Sequence, residues 1–344
     1  MKIAHVVWSM LTGGIETMLV NIINEQVKTE NVSLYIINDI WYEPLLNQLS
    51  DKCIVKLCGR RKGGLNPIPF VKLNYWLWKQ APDIVHVHSY RLSDVILNRR
   101  HMVRTIHNTR NNSREYSRMK ALYSISESVR QSTLSQGYDS VVIENGINYS
   151  NFIQKQNHSK RKIWQFVQVG RLNINQKGQD ILIKAVKELV RNHGNKNFHV
   201  TFIGEGESRN VLEQMTKENN ISQYVSFVGR KNQSWLYEHL SDYDCFVMPS
   251  RFEGFGLTVA EAMAAKLPIL VSNIEGPMEI INHGKYGMSF TNGDHIDLAN
   301  KMQQIINGGY DYSKIDMACE WVRKKYDISE TARNYIEEYK RLLK

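Results

Sequence analysis

Ser250-Arg-Phe-Glu-Gly-Phe-Gly-Leu-Thr-Val-Ala-Glu-Ala-Met-Ala-Ala265 is the stretch around which the chain is organised. The run before it, Asp244-Cys-Phe-Val-Met-Pro249, is short and apolar and reads as a buried parallel strand. A loop carrying Glu253, Gly254 and Gly256 follows, and a helix opens near Leu257. From Gly254 to Ala265 the sole charged side chain is Glu261, and a carboxylate in so small and apolar a segment is costly unless something hydrogen-bonds it. Glu253 stands where a helix N-terminus favours negative charge. The bland reading makes Glu253 a helix-start acid and Glu261 a satisfied core acid; other features converging on the same place favour a ligand site.

Outward from this stretch, the second half repeats one unit. Strands are expected at Trp164–Gly170, Phe198–Ile203, Val225–Val228, Leu267–Val271 and Gly287–Phe290, with helices at Gln179–Arg191, Ser208–Glu218, Ser234–Leu240, Gly276–Ile281, Asp294–Ile306, Tyr312–Tyr326 and Ser329–Leu343. The loop after the first of these strands carries Arg171, Lys177 and Gly178, and Gly204-Glu-Gly206 ends the second.

The first half alternates likewise. Lys2–Trp8 reads as a strand, Thr12-Gly-Gly-Ile-Glu16 as a glycine loop and Thr17–Val27 as a helix, the arrangement by which α/β folds present backbone N–H groups to an anion. Val32–Ile37 and Ile54–Leu57 read as the next strands. Arg60, Arg61 and Lys62 then precede a helix-length stretch with Tyr75, Trp76 and Trp78; basic residues beside an aromatic face suit either a solvated loop over a core-facing helix or an anionic membrane surface. Pro82–Ser89 is a strand ending in polar residues, with His86 and His88 read as facing opposite sides and so not sharing a metal. Val103–His107 is a further strand whose terminal His107 lies at the carboxyl edge, where open parallel sheets bind ligands. Arg110, Arg114, Arg118 and Lys120 follow at near-helical spacing and suit either acidic lipid or a solvated surface.

Val141–Ile143 is a short strand, Glu144–Asn148 a turn, and polar residues run on to Lys162, which makes this the best domain boundary. The reading is therefore α/β, with two Rossmann-like parallel-sheet domains: residues 1–155 on the acceptor side with a returning helix 327–344, and residues 156–326 on the donor side, ligands being expected in a central cleft.

Bulk properties narrow the class. The 344 residues suffice for two cores. The longest apolar runs fall far short of a bilayer span. Met1–Trp8 is too short for a signal peptide and lacks a small-residue cleavage site, so sequons such as Asn148-Tyr-Ser150 are expected unmodified. Cys53, Cys58, Cys245 and Cys319 show no metal-site spacing and are expected to be free thiols in a reducing cytoplasm. The net charge is +10, divided as 18 − 12 = +6 over residues 1–150 and 26 − 22 = +4 over the rest. No nucleic-acid-binding motif accompanies it, which leaves phosphorylated small molecules or anionic lipid.

In the second half, two cations, two carboxylates and two helix N-termini gather at strand-to-helix turns. Cations and helix N-termini bind diphosphate, and carboxylates accept hydrogen bonds from sugar hydroxyls. On these residues the chain resembles, throughout its length, the retaining nucleotide-sugar glycosyltransferases of the GT-B fold in the large family four. The most specific match is Pro249-Ser…Glu253-Gly-Phe-Gly…Glu261-Ala-Met-Ala, an E-x7-E motif with its flanks. Gly170-Arg171…Lys177-Gly178, Gly204-x-Gly206, Asn145-Gly146, Gly276-x-x-Glu279, Gly13-Gly14 and His107 fit in order.

The resemblance implies roles. Arg171 and Lys177 would hold the donor diphosphate and offset the charge of the leaving nucleotide. Glu253 would hydrogen-bond the transferred sugar and Glu261 the ribose hydroxyls. Phe255, Gly256 and Leu257 would offer backbone N–H groups, Arg230 would lie near the base, Gly14 would approach the phosphates and His107 would line the sugar pocket. No metal or other cofactor is expected, and Asp242-Tyr-Asp244 reads as structural because it precedes its strand. The expected activity is a metal-independent hexosyltransferase that uses a nucleotide sugar, with uridine diphosphate the favoured carrier, on a saccharide or lipid-linked acceptor in surface polysaccharide or glycolipid synthesis. It is placed in the cytoplasm or at the inner membrane face, without nucleic acid. A nucleotide-sugar epimerase on the same fold and a catalytically silent partner subunit are the alternatives.

Overall fold

The computed structural model describes residues 1–109, 113–158 and 162–344, so Arg110 of the basic series falls outside the described residues. The chain divides into two compact units, Met1–Ile147 with Tyr326–Lys344, and Asn148–Lys325.

Among the described residues the first unit holds seven parallel strands: β1 (Lys2–Val7), β2 (Asn31–Asn38), β3 (Ile54–Arg60), β4 (Ile84–Val87), β5 (Met102–Ile106), β6 (Ala121–Ser124) and β7 (Val141–Val142). Their order is β3-β2-β1-β4-β5-β6-β7. Strand order reverses between β1 and β4, the topological switch point at which the carboxyl ends of an open sheet leave a crevice. The second unit holds β8 (Trp164–Val169), β9 (Phe198–Ile203), β10 (Val225–Phe227), β11 (Cys245–Met248), β12 (Ile269–Ser272) and β13 (Met288–Phe290) in the order β10-β9-β8-β11-β12-β13. Its switch point lies between β8 and β11. Neighbouring strands pair in parallel throughout both sheets, and the central strands are buried on both faces, which explains near-continuous apolar strands such as Cys245–Met248.

Several elements escaped the sequence pattern, among them the short helices Glu43–Leu46 and Ile174–Lys177. β6 and the helix Glu127–Leu134 lie where composition is dominated by Ser, Gln and Arg, and their hydrophobic content is too thin for periodicity to register. The helix is announced by its cap, Ser126, whose hydroxyl accepts from the Val129 N–H.

The C-terminal helix, Ile328–Leu343, belongs to the first unit and buries Ile328, Thr331, Ala332, Tyr335 and Tyr339, a stripe at helical spacing. Asn145-Gly146 seats it. A Cβ on Gly146 would lie 2.5 Å from Thr331 Oγ1 and 2.6 Å from Ile328 Cα, so the two segments meet this closely only because residue 146 has no side chain. Thr331 Oγ1 donates to the Glu144 carbonyl at 2.9 Å.

The expectation for His86 and His88 is overturned. Residues two apart on a strand share a face, and the ring centroids are 4.0 Å apart, buried with His5 in the first unit. His5 Nδ1 meets His88 Nε2 at 2.9 Å and His5 Nε2 meets Gln26 Oε1 at 2.7 Å; His86 is held by Tyr339 and Thr105 hydroxyls at 2.5 and 2.8 Å. The three imidazoles therefore form a hydrogen-bonded core cluster with the C-terminal helix as its cover.

Candidate functional site

In the second unit, the loops that leave β8, β9, β11 and β12 build the site. Gly170 takes φ 155° at the end of β8, and Asn173 caps the short helix Ile174–Lys177 by accepting from the Gln176 N–H. Gly178 then turns left-handed at φ 62°, and a Cβ there would sit 2.0 Å from the Pro249 carbonyl oxygen. Glycine thus lets the loop after β8 lie directly on the end of β11. On β11's side, Gly256 at φ 106° starts the helix Leu257–Ala264 with no side-chain cap, which leaves its first N–H groups open toward the loop. Gly276, in the helix Glu275–Ile280, presses against the same loop: a Cβ there would lie 2.8 Å from the Phe255 carbonyl oxygen and 3.1 Å from that of Glu253.

This packing brings Lys177 and Glu253 together at the switch point. Lys177 Nζ donates to Glu253 Oε1 at 2.5 Å, and Ser250 Oγ donates to the same oxygen at 2.9 Å. The Glu253 side chain is only 8% exposed. Ser250 is itself fixed, because Ser272 Oγ donates to its carbonyl at 2.6 Å. One cation and one carboxylate from strands on either side of the switch point are therefore already in register.

Arg171 lies nearby in sequence but points outward, paired with Glu207 at 2.9 Å in an exposed contact that Asn173 Nδ2 joins at 2.7 Å. Such exposed pairs contribute little, so Arg171 is available to another anion. Hydrogen bonds, its own backbone N–H first and then Arg171, hold the Glu207 carboxyl below its ordinary range.

Glu261 lies in the Leu257–Ala264 helix, buried, and accepts from Gln233 Nε2 at 2.8 Å. Burial pushes its carboxyl up, partly countered by the Gln233 bond. A single donor leaves acceptor capacity on this carboxylate, as a hydroxyl-binding group requires. Phe255 is buried as a side chain and is engaged with other groups of the chain. Arg230 follows β10 and Gly229 on the exposed surface and is engaged with other groups of the chain.

Sequence reasoning passed over the residue that ties these loops together. Arg251 donates from Nη1 to Asp180 Oδ1 at 2.7 Å and from Nη2 to Asp180 Oδ2 at 2.8 Å. Its Nη1 also donates to the Ile174 carbonyl at 2.7 Å, and its backbone N–H to the Gln176 carbonyl at 2.8 Å. It lies inside the quoted stretch; its signal was a charged residue immediately before Phe252-Glu253 with an acid two residues after Gly178. The Asp242-Tyr-Asp244 carboxylates are engaged within the chain: Asp244 pairs with Lys155 at 3.1 Å and accepts from the Gln165 N–H, and Asp242 meets His239. A cavity of about 450 Å³ lined by Tyr286, Glu320 and Trp321 belongs to none of these loops.

In the first unit, Gly13 caps the helix Gly14–Gln26 in an extended conformation with no side-chain cap bond, so Gly14 opens an uncapped helix start after β1. His107 follows β5. Neither of its ring nitrogens has a hydrogen-bond partner, and burial, with Arg104 near it, pushes it down to about 4. It is a neutral imidazole with both nitrogens unengaged.

A family model for glycosyl transferases group 1 matches residues 150–320, and one for glycosyltransferase family 4 matches residues 12–151. An uncharacterised glycosyltransferase of Methanocaldococcus jannaschii is 30% identical over 198 residues, covering 57% of this chain and 49% of its own length. The lipopolysaccharide 1,6-galactosyltransferase of Salmonella typhimurium is 27% identical over 166 residues, covering 47% and 45%. The chain thus spans about half the length of these curated relatives. An Anabaena protein crystallised with UDP and glucose has the same fold, with a TM-score of 0.82 at 18% identity over 98% of this chain and 99% of that one.

Proposed function

Since this chain belongs to the group 1 glycosyl transferases, whose model matches residues 150–320 behind a glycosyltransferase family 4 match over residues 12–151, we propose that it moves a hexose-type sugar, with retention, from a nucleoside diphosphate to a saccharide or lipid-linked acceptor. Uridine diphosphate is the carrier we favour, in keeping with the UDP and glucose of the Anabaena neighbour. Surface polysaccharide or glycolipid synthesis is the setting we favour, in keeping with the Salmonella relative's name.

The observation that carries this reading is the Lys177–Glu253 pair at the switch point, beside two helix starts. In the reaction, the bond from the sugar's anomeric carbon to the diphosphate breaks, a bond to the acceptor oxygen forms on the same face, and the acceptor's proton passes to the leaving diphosphate. Charge builds on that diphosphate. Lys177 and the N–H groups of Gly256 and Leu257 are preorganised to stabilise it, and Arg171 joins by leaving its exposed contact with Glu207. Glu253 keeps a lone pair for a sugar hydroxyl, and Glu261 one for the ribose. On the acceptor side we assign Gly14 to the phosphates and His107, with its unengaged nitrogens, to a sugar hydroxyl. We assign leaving-group stabilisation to these cations rather than to a metal, because the Asp242-Tyr-Asp244 carboxylates are engaged by Lys155, Gln165 and His239. We place the enzyme in the cytoplasm, peripheral to a membrane.

A panel of UDP-, GDP- and ADP-sugars, scored by thermal shift and by release of nucleoside diphosphate, tests the proposal. A donor that binds raises apparent stability by mass action. A chain that neither binds nor cleaves any member of the panel is not this enzyme.

A further inference from the structure

The helix Ile68–Gln80 has two unlike faces. Pro69, Leu73 and Leu77 are buried, and Phe70 and Trp76 pack on the same core. The opposite face carries Ile68, Val71, Tyr75 and Trp78, spaced three, four and three residues apart, so they form one row. All four are exposed, Trp78 by 76%, and Leu65 just ahead of the helix by 98%. The helix packs on β3 and β2. β3 is an edge strand, and Ile54, Val55 and Leu57 on it are exposed too. Soluble chains seldom leave so continuous an apolar row uncovered.

Charge narrows what covers it. Residues 52–82 hold Lys52, Lys56, Arg60, Arg61, Lys62, Lys72 and Lys79 and not one Asp or Glu. The structure refines the sequence expectation here. Arg60 does not face outward; its guanidinium lies over the Trp8 and Phe70 rings and donates to Asn38 Oδ1 at 3.0 Å. Trp76 lies under Lys56, against the core. Arg61, Lys62, Lys72 and Lys79 are exposed around the apolar row.

We propose that this face, the Ile68–Gln80 helix with Leu65 and the β3 edge, docks on an anionic lipid bilayer. Ile68, Val71, Tyr75 and Trp78 enter the headgroup boundary, while Lys72 and Lys79 lay their stems along it and meet lipid phosphates. Self-pairing through the same face would bring two acid-free basic surfaces together, which like-charge repulsion opposes. The inference deepens the peripheral placement proposed above by naming the surface and its lipid class, and it is testable whether or not sugar transfer is correct.

Co-sedimentation of the full chain with phosphatidylglycerol vesicles, and separately with phosphatidylcholine vesicles, is the test. We expect binding to the first that weakens with salt, and little binding to the second. Lys72→Glu with Lys79→Glu should lower the partition by roughly tenfold or more, and Val71→Ser with Trp78→Ser should abolish it. These side chains are exposed, so both variants should keep the wild-type melting temperature and the wild-type rate of donor cleavage measured without vesicles. Equal binding to both lipids, or variants that bind like wild type, overturns the proposal. So does sedimentation velocity showing a wild-type dimer that Trp78→Ser dissociates while vesicle binding persists. If vesicles bind as expected but no nucleotide sugar is cleaved, the transfer reading fails and the docking surface stands.

Discussion

Arg251 and Asp180 form a two-pronged ion pair, Nη1 to Oδ1 at 2.7 Å and Nη2 to Oδ2 at 2.8 Å, that joins the loop after β11 to the helix following the loop after β8. Burial alone would raise the Asp180 carboxyl, but Arg251, joined by Lys184, outweighs it and holds the group below its ordinary range. Glu253 and Lys177 sit on the two loops so joined.

Arg251→Ala should therefore lower stability by about 2 kcal/mol, since the buried Asp180 carboxylate loses its two-pronged partner and keeps only the Lys184 ammonium at 3.4 Å, and should lower turnover of the donor as Lys177 and Glu253 drift apart. Arg251→Lys should recover part of the stability but less of kcat, because an ammonium cannot supply the fork that also reaches the Ile174 carbonyl. Thermal melts and donor-cleavage kinetics of both variants check this; equal kcat in Arg251→Ala and wild type would sever the link to the site.

Lys177→Ala and Glu253→Ala should each reduce sugar transfer by roughly a hundredfold or more, the usual cost of removing one preorganised group facing developing charge. Because the two side chains touch, the double variant should cost less than the sum of the singles. Initial rates with the donor found in the panel measure both points, and full activity in both single variants would refute the site.

Glu261→Gln should separate binding from stability. Burial raises this carboxyl, so ionising it at neutral pH opposes folding: the unfolded chain ionises first as pH rises, and stability is lost through that window. The uncharged amide should raise the melting temperature of the free protein slightly while weakening the thermal shift given by UDP. A stabilised variant with undiminished UDP binding would remove Glu261 from the site.

Gly178→Ala should lose about 2 kcal/mol or more, because φ of 62° disfavours a side chain and its Cβ would overlap the Pro249 carbonyl. Circular-dichroism melts of this variant should show the drop, whereas Gly194→Ala, with open space around its Cβ, should show only the conformational part.

Acid should destabilise the first unit. Burial pushes His5 and His107 down to about 4, and His86 and His88 lie well below their ordinary value through burial and their neighbouring imidazoles. The unfolded chain takes up these protons near pH 6.5, so between that value and about 4 the unfolded state binds more of them. Stability is full above about pH 6.5 and falls as pH drops, on the order of 3 kcal/mol for His5 alone. Loosening should begin at Tyr335 and Tyr339, which cover the cluster; hydrogen exchange of the C-terminal helix at pH 7 and pH 5 reads it directly.

Local chemistry was legible. Apolar runs placed eleven of the thirteen strands among the described residues within a residue or two, and the Gln179–Arg191 and Leu257 helices announced themselves by period and glycine. The glycine-flanked loops pointed to Lys177 and Glu253, which the structure brings into contact, because the residues that make strand ends and helix starts are neighbours in sequence. β2 and β3 likewise followed from their apolar runs, while β6, polar in its surroundings, did not.

What the amino-acid sequence determined by itself is thus the alternation of strand and helix and the residue types at each turn, since both depend on interactions within a few residues. Tertiary structure alone decided strand order, and with it which turns adjoin: β8 beside β11 makes the Lys177–Glu253 contact across 76 residues. It also decided that Trp76 faces the core and Trp78 the outside, that His86 and His88 share a layer with His5, and that Arg251 reaches Asp180. Each of these is set by what packs opposite a side chain, and that partner is brought there by the burial of whole sheets rather than by any local pattern.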